Sequence, residues 1–109
     1  MKRKDAAYLA TAKYRYKLSS ADYYALRELQ QGRCAICHVT EEEMGERLAI
    51  DHCHASGQVR GLLCRPCNRN LGAHELRNTS AFASYKAWPP MRELTYRRNT
   101  PDDEQVHPL

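Results

Sequence analysis

Two Cys-x-x-Cys pairs, Cys34-Ala-Ile-Cys37 and Cys64-Arg-Pro-Cys67, enclose a run that sets an acid beside two imidazoles, Ile50-Asp51-His52-Cys53-His54. Either pair alone is a weak signal. With twenty-six residues between them, about the length of one strand pair and its turn, they have the spacing of a tetrahedral four-thiolate zinc site. Such a shell leaves no open position. Cys34, Cys37, Cys64 and Cys67 are therefore read as ligands of a structural Zn²⁺ that stabilises and does not catalyse. Asp51 and Asn68, the residue directly after Cys67, offer oxygen donors, which suit Mg²⁺ or Mn²⁺ better than zinc. His52 can be a neutral imidazole near pH 7 and so a general base for water. Cys53 reads as a half-buried free thiol, because the outer four cysteines complete the shell.

These residues place a demand on the backbone. In a regular strand Asp51 and His52 point to opposite faces, whereas His52 and His54 share a side with Ile50. A joint site requires the strand to end or twist here.

The rest of the chain must build the scaffold. At 109 residues, mean hydropathy −0.76 and 8% aromatic content, it is one domain with little apolar surface to bury, so a staple is expected. No signal-peptide pattern opens it and no run approaches a membrane span. A reducing cytoplasm is the expected setting, with no membrane partner, and that favours zinc over disulfides. Residues 1–33 carry eight Lys/Arg against three Asp/Glu, and residues 65–100 carry seven against two. Two basic flanks around a chemical centre suit a polyanion, nucleic acid first, although an ordinary solvated basic surface has the same signature.

Along the chain, the spacing predicts a basic arm or helix over 1–18, helical over 5–17. Its lysines and arginines are assigned to phosphates and its tyrosines to the core. A helix follows from the N-cap Ser19, with Asp22 placed for a capping box, Leu18 and Tyr23 for a hydrophobic staple, and Gly32 as its stop. The stretch 40–46 reads as an acidic turn or short helix, and its glutamates at 41, 42, 43 and 46 as solvated and without fixed geometry. Strands are predicted over 47–50 and 58–63 around a turn at 55–57. Pro66 opens a helix carrying Asn68 and Leu71 up to Gly72. A last helix over 79–87, capped by Asn78 or Thr79, turns Phe82, Tyr85 and Trp88 inward and ends at Pro89-Pro90. The domain proper spans 19–96, and 97–109 is read as a polar, disordered tail.

Four segments in this order, Arg33-Cys34-Ala-Ile-Cys37, Leu48-Ala-Ile-Asp51-His52-Cys-His54, Gly57-Gln-Val-Arg60-Gly61-Leu-Leu-Cys64 and Cys67-Asn68-Arg-Asn-Leu71-Gly72, resemble the recombination endonuclease VII family over about residues 20–88. That family belongs to the HNH, or His-Me finger, nucleases found largely in phages. The resemblance implies an α+β fold, a small zinc-stapled ββα-metal domain with flanking helices, acting on DNA in a host-cell cytoplasm. It also implies a single Mg²⁺ or Mn²⁺ held by Asp51 and Asn68, His52 as base, and His54 assisting at the scissile phosphate. Arg60 is a further candidate for the phosphate. Where the family often has an acid, this chain has Cys53. Its founding junction resolvase carries a longer C-terminal dimerisation region, for which this chain has little room, and a homodimer is left open. The alternative is a non-catalytic zinc-stapled DNA-binding module. It needs only the four cysteines and the basic flanks, and gives no reason for Asp51, His52 and Asn68.

Overall fold

The computed structural model describes residues 3–69 and 80–99. In chain order these form α1 (Arg3–Tyr16), α2 (Ser20–Leu29), α3 (Glu41–Met44), β1 (Ala49–His52), β2 (Val59–Leu63), a helix α4 described over 65–69, α5 (Ser80–Ala87) and α6 (Pro90–Asn99). The fold is α+β. Expectations for Leu71, Gly72, the cap at Asn78 or Thr79 and the tail beyond 99 lie outside the described residues.

In α1, Leu9 and Ala12 are one helical step apart and both buried. Lys17, with φ 55°, turns the chain out of that helix. α2 starts as its sequence dictates, with the Ser19 hydroxyl accepting the Asp22 N–H at 3.1 Å. The Asp22 carboxylate, however, pairs with Arg98 of α6 at 2.8 Å, so it links two helices distant in sequence. Leu18, Tyr23 and Leu26 enter the core, where Leu26, Leu48, Leu62, Leu63 and Cys34 are the largest fully buried side chains. Phe82 and Tyr85 reach the same core from α5, as their spacing predicts.

Three local expectations are corrected. The pair Pro89-Pro90 ends α5, but Pro90 also opens α6, which runs through 97–99 to Asn99. Proline is tolerated in a first turn because the N–H it lacks would have no intrahelical partner. The Pro89 carbonyl accepts the N–H groups of Arg92 and Glu93 at 2.9 and 3.2 Å. Polar links fasten this helix: the buried Glu93 accepts the Trp88 indole N–H at 2.8 Å and pairs with Arg97 at 2.8 Å.

Two of the glutamates also have fixed geometry. Glu43 and Thr40 form a capping box on α3. Glu41 pairs with Arg27 at 2.6 Å and accepts the Leu48 N–H at 3.0 Å, which clamps α2 to the entry of β1. The tyrosines of α1, finally, do not act alike. Tyr8 and Tyr16 pack on the core as expected, Tyr16 also lying against His52, whereas Tyr14 is 88% exposed.

Candidate active site and metal centre

The site is built on the β1–β2 hairpin. Across it Ala49 faces Leu63, Ile50 faces Leu62 and Asp51 faces Gly61, after which the register slips and His52 faces Val59. Arg60 is thus the extra residue of a β-bulge. In an unbroken ladder Arg60 would sit on the face opposite Gly61 and Asp51. The bulge re-aims it. Its guanidinium grips the Asp51 carboxylate through Nε to Oδ2 at 2.8 Å and a terminal nitrogen to Oδ1 at 3.1 Å. The Tyr85 hydroxyl of α5 donates to the same Oδ2 at 2.7 Å.

Asp51 is 4% exposed, so this is a buried ion pair with a third partner. Burial works against the Arg60 charge, but the hydrogen bond and charge of Asp51 outweigh it and hold the guanidinium more firmly protonated than usual. Burial, then the Asp51 charge and hydrogen bond, push the Tyr85 phenol far above its ordinary value and fix it as a donor. Gly61 makes room for this contact. A Cβ there would stand 3.0 Å from Pro90 Cδ and 3.1 Å from Tyr85 Oη.

The other face carries the imidazoles. The rings of His52 and His54 lie 4.8 Å apart, and Tyr16 approaches His52 at 4.9 Å. The turn between the strands closes with the Gly57 N–H donating to the Cys53 carbonyl and the Cys53 N–H donating to the Gln58 carbonyl. Of the residues singled out by sequence, His52 and His54 are therefore brought together, while Asp51 faces away toward Arg60 and Tyr85. Asn68 is half-buried in α4, and its backbone N–H donates to the Cys64 carbonyl at 2.9 Å. Among the described residues its side chain makes no hydrogen bond.

The four knuckle cysteines converge. Their sulfur atoms lie within 4.8 Å of one another, and Cys37 Sγ is 3.6 Å from Cys64 Sγ. A Zn²⁺ with ~2.3 Å bonds to four tetrahedral sulfurs requires edges of about 3.8 Å, so the cage fits that ion. The protonation chemistry agrees. Burial raises the Cys34 thiol, but N–H donors from Cys37, Cys64 and Ile36 outweigh it and hold it at about 7. Burial pushes Cys64 and Cys67 up. Four thiols this close cannot all ionise without a cation between them.

The loops around the cage are set by the backbone. His38, with φ 67°, returns the first knuckle so that the Cys34 N–H reaches the Val39 carbonyl at 2.9 Å. The Ala35 N–H then joins this knuckle to the Leu62 carbonyl at 3.1 Å.

Sequence reasoning misses three residues here. Gln30 acts as an extra strand, its amide donating to the Leu62 carbonyl and accepting the Leu62 N–H, both at 2.8 Å. Tyr16 and Tyr85 read as core alone from the sequence. For Tyr85 the available signal was that a buried tyrosine hydroxyl needs a partner.

A histidine-bearing hairpin held by a cage of four thiols defines a zinc-knuckle α+β domain. The profile of the recombination endonuclease VII family matches residues 9–98, and the chain belongs to that family. The chain is 44% identical over 56 residues to the Gene 59 protein of Mycobacterium phage D29 and 43% identical over 54 residues to the Gene 59 protein of Mycobacterium phage L5. These matches cover 51% and 50% of this chain but only 33% and 32% of the relatives, so it spans about a third of the curated proteins it matches. No solved structure matches it significantly. No helix among the described residues is long and apolar enough to cross a membrane.

Proposed function

We propose that this domain is an HNH-type endonuclease that hydrolyses DNA phosphodiester bonds, with a structural Zn²⁺ on Cys34, Cys37, Cys64 and Cys67. The observation that carries the reading is the pair of adjacent imidazoles, His52 and His54, on a hairpin whose second strand leads into the thiol cage at Cys64. Family membership supplies the reaction class. His52 takes a proton from the water that attacks phosphorus. His54, which is exposed, contacts the phosphate oxygens. Tyr16 packs on His52 and restricts its ring to one orientation.

Asp51 and Asn68 would hold the catalytic Mg²⁺ or Mn²⁺, and donor chemistry supports the fit. A carboxylate offers about four acceptor sites. Arg60 and Tyr85 occupy two on Oδ2 and one on Oδ1, leaving one on Oδ1. The Asn68 side chain has no competing hydrogen bond among the described residues. When bound, such an ion neutralises charge on the phosphate and the leaving oxygen. Hydrogen bonds to a ligating carboxylate orient it, which is the role this geometry gives Arg60 and Tyr85.

The three hydrogen bonds already held by Asp51, and its placement on the face away from His52, favour a second reading, a zinc-stapled module that binds DNA without cutting it. Product ends separate the two. Incubation of a labelled duplex with Mg²⁺ is expected to give 5′-phosphate and 3′-hydroxyl termini that a ligase reseals. Intact duplex in the presence of bound protein would favour the binding module.

A further inference from the structure

A groove of about 830 Å³ runs between the hairpin turn and the α5–α6 pair. We propose that it seats the backbone of a DNA strand and leads it to the hairpin. This rests on the reading that the substrate is DNA.

Four cations line the groove, Lys17, Arg60, Lys86 and Arg92, against one carboxylate, Asp22, which is paired with Arg98. Among the described residues neither Lys17 nor Arg92 pairs with a carboxylate. Arg92 donates instead to the Ala87 carbonyl at 2.7 Å and stacks over Trp88 at 4.2 Å, so its position is fixed while its charge stays unneutralised. Tyr16, Trp88 and Tyr96 add aromatic surface to the same groove. Cations and rings in one groove match a strand that presents both phosphates and base faces.

The groove also meets both halves of the site. Tyr16 lines it and touches His52, and Arg60 lines it and holds Asp51. A competing hollow of about 550 Å³ beside Tyr8 and Tyr23 is lined by Glu41, Glu42 and Glu46 against Arg27 and Arg47. Its acids exclude a polyanion.

The test is fluorescence anisotropy of a fluorescein-labelled DNA oligonucleotide with the full, zinc-loaded chain. A His52→Ala background stops cutting, and the titration is repeated at several salt concentrations. Lys17→Glu together with Arg92→Glu is expected to weaken binding at least about tenfold. The log–log salt slope should become shallower by about 0.7 to 0.9 for each phosphate that the variant no longer neutralises. Arg65→Glu, whose exposed side chain faces Glu46 outside the groove, is expected to change binding less than about twofold. Lys17→Gln with Arg92→Gln, checked by zinc content and circular dichroism, serves if the reversal fails to fold. Unchanged binding in the groove variants, or an equal weakening from Arg65→Glu, would overturn the groove. A parent that binds no DNA would overturn the DNA reading and the groove with it.

Discussion

At the scale of single residues, the buried cluster of Asp51, Arg60 and Tyr85 ties stability to the site. Tyr85→Phe removes a hydrogen bond to a buried carboxylate and is expected to cost roughly 1.5–3 kcal/mol, read as a lower urea midpoint at unchanged m-value. Gly61→Ala should cost a similar ~1–3 kcal/mol by overpacking, because its Cβ meets the Pro90 ring and the Tyr85 hydroxyl. Midpoints equal to wild type in both variants would mean the cluster contributes nothing. The types and order of Asp51, His52, His54 and Asn68 were readable in the sequence. The partners of Asp51 were not: a single inserted residue in β2 decides which face Arg60 occupies, and no pattern of residue types announced it.

Among the elements, the hairpin owes its place to a side chain. Gln30 completes the ladder on Leu62, so Gln30→Ala leaves the buried Leu62 N–H unmatched, its carbonyl still accepting the Ala35 N–H, and should cost about 1–3 kcal/mol. Hydrogen exchange would show this as faster opening of the Leu62 amide, while unchanged protection there would argue against that role. The start of α2, the second strand, the turn and α5 were legible, because cap, alternation and glycine signals are local. The first strand, expected over 47–50, lies instead at Ala49–His52 and carries Asp51 and His52 within it. The helix α6 was not legible. Its first residue is a proline that also reads as a terminator, and its anchors, Asp22 with Arg98 and Trp88 with Glu93, form only once the chain is folded. The same holds for Glu41, whose partners Arg27 and Leu48 lie on other elements.

For the molecule as a whole, the metal cage joins the first knuckle, the hairpin and α4. With a Zn²⁺ in that cage, binding and folding would be one equilibrium. Removing zinc with a strong chelator is expected to abolish the cooperative unfolding transition, and Cys34→Ser or Cys64→Ser should do so without chelator. Replacement by Co²⁺ should give the absorption of a tetrahedral thiolate site. A chain that keeps its full transition without metal would contradict the cage as a staple.

Conversion of supercoiled plasmid tests most directly whether His52 performs the proposed metal-dependent cleavage of DNA. Zinc-loaded wild type and His52→Ala would be compared with Mg²⁺ added or simply omitted, since a chelator would also attack the cage. Relaxed or linear product is expected only from wild type and only with the ion. Wild-type conversion by His52→Ala, or conversion indifferent to Mg²⁺, would contradict the account.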